Sequence, residues 1–184
     1  MRAIIVHGYS AHTGKHWFPW LEDELAARGH DVHRVELPRP NEPDRGEWDA
    51  AIAQAIGPVD EATVLIGHSL GCLALLRFLA SQWGRGGAQG LGGLVLVAGF
   101  VEKLPGVPEL DGFIGAGMDA APLGARIRHA AVIHSDDDEI VPPELSVQLA
   151  KALGARDISV PGGGHFLEGE MPEALVEVLA STVR

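Results

Sequence analysis

The chain has 184 residues, 46% of them hydrophobic, enough for one domain that buries roughly 70% of the surface exposed by its unfolded form. Its formal charge of −11 argues against nucleic acid and anionic membrane surfaces, since both select clustered Lys and Arg. A single cysteine, Cys72, excludes an intrachain disulfide, and no apolar run reaches the roughly 18 residues of a membrane span.

In chain order, residues 3–6 form a first apolar strand, in a run too short for a signal peptide. Residues 17–28 read as a helix stopped by Gly29, and 31–37 as a second strand followed by a Pro-rich loop over 38–43. A helix over 47–56 leads to a strand over 63–66, a short turn, and a helical stretch ending near Gly84. The run 94–98 is near-continuously apolar, as a strand covered on both faces would be. Strands over 130–134 and 156–160 flank a helix over 143–153; a helix over 172–183 closes the chain, with Pro172 in its first turn. About six strands with helical crossovers predict a three-layer α/β sandwich around a mostly parallel sheet, in one domain over 1–184. The expected setting is soluble and cytoplasmic, with Cys72 a small packed apolar residue.

Three glycine-rich segments imitate nucleotide sites and fail on spacing. In Gly8-Tyr9-Ser10-Ala11-His12-Thr13-Gly14-Lys15, five residues separate the glycines and His16 stands where a phosphate loop needs Ser or Thr. The run 84–93 precedes a strand instead of following one, and Gly162-Gly163-Gly164 has no suitably spaced helix after it. His12 and His16 are four apart, but no matching cluster of carboxylates or cysteines supports a metal; no metal or other cofactor is expected.

The informative motif is Gly67-His68-Ser69-Leu70-Gly71, set between the apolar strand 63–66 and a helix that begins at Cys72. Glycine is common here, so chance alone would give roughly 0.12 such pentapeptides across the chain's serines. The weight therefore comes from the flanking strand and helix, which make the motif a nucleophile elbow with Ser69 raised at the sheet edge. The helix start supplies free N–H groups to an oxyanion.

A serine hydroxyl needs a base, and a parallel sheet puts later functional residues after later strands. The strand over 156–160 is followed by Pro161-Gly162-Gly163-Gly164-His165-Phe166, which makes His165 the base candidate. The strand over 130–134 is followed by Ser135-Asp136-Asp137-Asp138-Glu139, so the orienting acid lies in a run of four carboxylates. The order Ser, Asp, His is that of the α/β-hydrolase class. The oxyanion donors would be the backbone N–H groups of Leu70 and Tyr9, with Gly8 permitting the tight turn. His68 would point away from the serine's side of the elbow, packing or shaping the pocket. Trp17, Trp20 and Phe166 could wall a substrate pocket, and the stretch 100–128 is either a short cap over the site or a surface connection.

Asp138-Glu139-Ile140-Val141-Pro142 resembles the Asp-x-x-Val-Pro segment of many α/β-hydrolases, which selects Asp138 over Asp137; the other carboxylates would cap the next helix or face solvent. With His7-Gly8-Tyr9, His16-Trp17-x-Pro19-Trp20-Leu21, Asp137-Asp138 and Gly164-His165-Phe166, nearly the whole chain resembles a minimal α/β-hydrolase of the small YdeN-like or retinoblastoma-binding-protein-nine-like serine hydrolase family. The resemblance implies a sheet without the first two strands of larger relatives, a Ser69-Asp138-His165 triad and esterase-like activity. The mammalian member's Leu-x-Cys-x-Glu interaction motif is not kept, because Leu70-Gly71-Cys72-Leu73-Ala74 ends in alanine.

These residues lead to an expected serine hydrolase that cleaves carboxylic esters, thioesters or amides of a small-molecule acyl substrate through an acyl-enzyme. A triad-based acyltransferase or lyase, and a non-catalytic binding protein on the same scaffold, are the alternatives.

Overall fold

The computed structural model describes residues 1–84, 86 and 90–182. The apolar runs become six strands: β1 (Arg2–Val6), β2 (Asp31–Val35), β3 (Thr63–His68), β4 (Leu91–Val97), β5 (Ile127–Ser135) and β6 (Arg156–Val160). They form one sheet in the order β2-β1-β3-β4-β5-β6, and every neighbouring pair is parallel. Seven helices accompany them among the described residues: α1 (Phe18–Ala26), α2 (Arg45–Ile56), α3 (Leu70–Gly84), α4 (Asp111–Ile114), α5 (Ala121–Gly124), α6 (Pro143–Leu153) and α7 (Pro172–Ala180). None of the described helices is long and apolar enough to cross a membrane.

Period-two alternation within buried strands creates two cores, one on each face of the sheet. Ile4, Val6, Leu65, Leu94, Leu96 and Val132 face a core shared with α2, α3 and α6. Ala3, Ile5, Val64, Ile66, Val95, Val97 and Ile133 face a second core that takes Leu21 and Leu25 of α1 and Ala174 and Val178 of α7. The result is the expected three-layer α/β sandwich around a parallel sheet.

Element boundaries move where polar side chains do structural work. Helix α2 begins two residues before the sequence expectation because the Asp44 carboxylate caps it, accepting the Glu47 N–H at 2.9 Å. Strand β5 begins at Ile127, paired with Leu91, through two polar positions that hid it. One of these, His129, meets the buried Glu177 of α7 through Nε2 at 2.9 Å. Part of the glycine run 84–93 and the end of the closing helix at 183 lie outside the described residues.

The stretch 100–128 carries a 3-10 turn (Pro108–Leu110) followed by α4 and α5. Leu104, Leu110, Phe113, Ile114, Ala120 and Leu123 are buried in the core they share with α3. Arg77 of α3 donates to the carbonyls of Phe113 (3.0 Å) and Ile114 (2.6 Å), so a buried cation ties this stretch to the helix that follows Ser69. These apolar side chains anchor the stretch at intervals, while Glu102, Lys103, Glu109 and Asp119 between them stay exposed.

Candidate active site

Strand order reverses between β1 and β3, where consecutive crossovers leave on opposite faces of the sheet, and α/β sheets bind ligands at such a point. β3 ends at His68 and α3 starts at Leu70, which leaves Ser69 alone in the turn with φ +53°. A non-glycine residue in that left-handed region is strained, and it persists only when its surroundings hold it. The Ser69 N–H donates to the Val97 carbonyl at 2.9 Å, anchoring the turn to the end of β4. Gly71 lets α3 approach the loop after β1: a Cβ there would stand 2.4 Å from the His7 carbonyl oxygen and 2.6 Å from that of Val6. Gly8 answers from the other side, where a Cβ would meet the Ser69 Cβ at 3.0 Å and the Leu70 nitrogen at 3.3 Å.

That contact brings the two expected oxyanion donors, Leu70 N–H and Tyr9 N–H, to one corner of the fold. Neither donates a hydrogen bond among the described residues. The Tyr9 N–H shares a peptide plane with the Gly8 carbonyl, and in a trans peptide the two point in opposite directions. His7 Nδ1 donates to that carbonyl at 2.9 Å, while His7 Nε2 accepts the Leu37 N–H at 3.4 Å. One buried imidazole thus aims the peptide, and it must be neutral to accept and donate at once. The sequence reading missed this role of His7.

His165 follows β6 and Asp138 follows β5, and the two meet: His165 Nδ1 donates to Asp138 Oδ2 at 2.8 Å, with both side chains nearly buried. Asp138 Oδ1 accepts the N–H groups of Ile140 and Val141, each at 2.9 Å, so both carboxylate oxygens are engaged. The bond to Asp138 puts the His165 proton on Nδ1 and leaves Nε2 as a lone pair. No hydrogen bond joins His165 to the Ser69 hydroxyl among the described residues.

The remaining residues of the acid run do not cap α6, whose N-terminus has no side-chain cap. All three are exposed, as solvent-facing carboxylates would be, but Asp136 and Asp137 also hold the loop that carries His165. Asp136 accepts the Gly162 N–H at 2.9 Å, the Ser135 hydroxyl accepts the Gly163 N–H at 2.8 Å, and Asp137 accepts the Gly164 N–H at 2.7 Å. Four consecutive residues, Ser135 at the end of β5 and the three that follow it, therefore grip the four consecutive residues 162–165 after β6. The Ser135 hydroxyl, and then the Gly164 N–H, hold the exposed Asp137 carboxyl below the usual carboxylate range.

The aromatic residues expected to line a pocket mostly lie inside. Trp17 is fully buried and packs edge-on to Phe18 and His68, with ring centroids 4.7 and 6.0 Å away; it supports the elbow from beneath and lines no open pocket. Phe166 is also buried, its ring so close to Gly163 that a Cβ there would meet it at 2.7 Å. Trp20 is half-buried against the same core, and Tyr9 is half-buried against the other. Cys72 is buried, its thiol donating to the Val97 carbonyl at 3.4 Å; desolvation pushes its pKa up and keeps it unreactive. His12 and His16 are engaged separately: His12 Nδ1 accepts the Gly14 N–H, and His16 Nδ1 donates to the Leu167 carbonyl.

Burial lowers the pKa of both His7 and His68 from the ordinary 6.5, because enclosure penalises the charged ring. The unfolded chain then binds protons below about pH 6.5 that the folded chain refuses, so stability must fall as the pH drops through that window. Each such histidine contributes a slope of up to about 1.4 kcal/mol per pH unit. Urea unfolding between pH 7.5 and 5.5 is expected to show this loss, with a shallower slope in His68→Gln; a flat profile would contradict it.

The sequence profile of the family described as Serine hydrolase matches residues 3–178. A Bacillus subtilis protein provisionally named as a hydrolase, YdeN, is 40% identical over 169 residues, covering 92% of this chain and 87% of its own. The solved structure of the B. subtilis ydeN gene product superposes with a TM-score of 0.90 at 35% identity, covering 98% of this chain and 97% of that one. The serine hydrolase RBBP9 of Rattus norvegicus is 24% identical over 184 residues, covering 98% of this chain and 94% of its own. The elbow, the convergent loops and these likenesses lead to one conclusion: this chain belongs to the serine hydrolase family, as a small YdeN-like and RBBP9-like member of the α/β-hydrolases.

Proposed function

We propose that the protein hydrolyses carboxylic esters of small acyl substrates through an acyl-enzyme, with Ser69 as nucleophile, His165 as general base and Asp138 as the acid that orients it. The observation that carries this reading is the nearly buried His165–Asp138 bond of 2.8 Å, on loops that leave β5 and β6 at the same edge of the parallel sheet at which the strained Ser69 follows β3. His165 Nε2, with its lone pair free, takes the Ser69 proton as Oγ attacks the ester carbonyl carbon. The tetrahedral oxyanion is received by the N–H groups of Leu70 and Tyr9. The imidazolium, steadied by Asp138, returns the proton to the departing alkoxide, and an acyl-Ser69 ester remains. Water then repeats the cycle, freeing the carboxylic acid and restoring Ser69.

The test is fluorophosphonate labelling read by intact mass, together with hydrolysis of p-nitrophenyl esters of increasing chain length. Labelling of wild type that vanishes in Ser69→Ala supports the reading; folded wild type that neither labels nor turns over ester would sink it. The aim of the Tyr9 N–H makes a second expectation. His7→Phe removes the bond to the Gly8 carbonyl and is expected to lower kcat within the about 10²–10³-fold range of a lost oxyanion donor. His7→Asn, whose amide N–H reaches the Nδ1 position, should recover part of it; equal rates in both variants would remove His7 from the oxyanion assembly.

A further inference from the structure

The loop bearing His165 is held through its N–H groups by Ser135, Asp136 and Asp137; two of its carbonyls are held by histidines that the triad does not use. His68 Nε2 donates to the His165 carbonyl at 2.9 Å, and His16 Nδ1 donates to the Leu167 carbonyl at 3.1 Å. Phe166, between those two carbonyls, sits at φ +55°, and His16 at φ +53°. Two strained residues in one contact indicate a loop conformation imposed by its neighbours, not preferred by its own chain. The rings form a row, with centroids 5.7 Å apart from His16 to His68 and 4.9 Å apart from His68 to His165.

His68 is built as a fixed donor. Its ring is buried against the edges of Trp17 (6.0 Å) and Phe18 (5.9 Å). Because its partner is a carbonyl, Nε2 must carry the proton, and Nδ1 has no hydrogen-bond partner. A second proton would place an unpaired N–H and a charge in an apolar enclosure that His7, His16 and His165 also face. A single neutral tautomer results. His68 is also the residue next to Ser69, so its bond to the His165 backbone is a very short link between nucleophile and base.

We propose that His68 is a positioning residue for His165: its neutral imidazole ties the backbone of the base to the strand that carries the nucleophile. This role rests on the triad reading above. A sub-ångström to 1 Å drift of a base relative to its nucleophile is enough to cost about 10²-fold in rate.

The experiment compares wild type, His68→Phe and His68→Gln on p-nitrophenyl butyrate, with folding followed by circular dichroism. His68→Phe keeps a ring and loses the donor; it is expected to lower kcat by about 10²-fold with KM within about threefold. His68→Gln places an amide N–H near the Nε2 position and should recover kcat to within about tenfold of wild type. A folded His68→Phe with wild-type kcat overturns the proposal, as does a His68→Gln no better than a folded His68→Phe. Wild type that neither labels nor hydrolyses ester sinks the triad reading and this role with it. Should His68→Phe fail to fold, long-range ¹H–¹⁵N imidazole spectra of wild type decide. A neutral ring protonated on Nε2 from about pH 5.5 to 8.5 is the expected result. The Nδ1 tautomer, or titration near the ordinary imidazole value, overturns the proposal.

Discussion

Ser69→Ala is expected to reduce ester turnover by several orders of magnitude, of order 10⁶ by analogy with the best-studied serine hydrolases, and to abolish fluorophosphonate labelling. The size follows from the chemistry: no other group forms the acyl intermediate, and water attacking without Ser69 keeps only oxyanion stabilisation and binding. The same position should reveal the strain of the elbow. Ser69 has φ +53°, a conformation that glycine adopts without penalty and that alanine resists. Ser69→Gly should therefore be more stable than Ser69→Ala by about 1 kcal/mol, although both are inactive. Chemical denaturation of the two variants checks this; equal stabilities would mean that the turn is not strained. Labelling that survives in Ser69→Ala would place the nucleophile elsewhere.

Much of this arrangement was legible because its signals are local. The strands announce themselves as short apolar runs, and the elbow as a glycine-flanked serine between one such run and a helix. His165 follows from the strand that precedes it, since strand-end loops share one edge of a parallel sheet. The same argument reaches only a run of four carboxylates for the acid, and the resemblance of residues 138–142 to the hydrolase segment selects Asp138. What escaped notice were bonds between a side chain and a distant backbone group, which leave no periodicity. His68 lies 97 residues from the carbonyl it holds, and His16 lies 151 from its own. Both look like ordinary loop or packing histidines in the sequence. Trp17 misled for a related reason: it stands next to the oxyanion loop in sequence, but at the N-cap of α1 its ring is buried against His68 of the elbow. The extra carboxylates hid their second role because an acidic run reads as solvated surface; Asp136 and Asp137 are exposed, yet each also accepts the N–H of a glycine after β6.

Asp138→Asn is expected to lower kcat by about 10⁴-fold, far more than the same change at Asp137 or Asp136. The amide oxygen can take over Oδ1, still accepting the N–H groups of Ile140 and Val141. Its NH₂ must then face His165 Nδ1, where the carboxylate accepts a proton at 2.8 Å. Two donors cannot share that contact, so the ring gives up its Nδ1 proton and carries it on Nε2, the atom that must receive the Ser69 proton. The base is blocked while the fold is intact. At Asp137 the same substitution leaves an oxygen able to accept from the Ser135 hydroxyl and the Gly164 N–H, and the tautomer of His165 is untouched. Asp137→Asn should thus fall no more than about tenfold, and Asp136→Asn, with one exposed bond to Gly162, less still. Asp137→Ala is the sharper probe of the grip, because it removes the acceptor that fixes the Gly164 N–H next to His165 and leaves water in its place. Steady-state kcat and KM on one ester, with each variant's fold checked, rank the three carboxylates. If Asp136→Asn or Asp137→Asn proved as damaging as Asp138→Asn, the acid would be misassigned and the gripping loop would be the triad's third member.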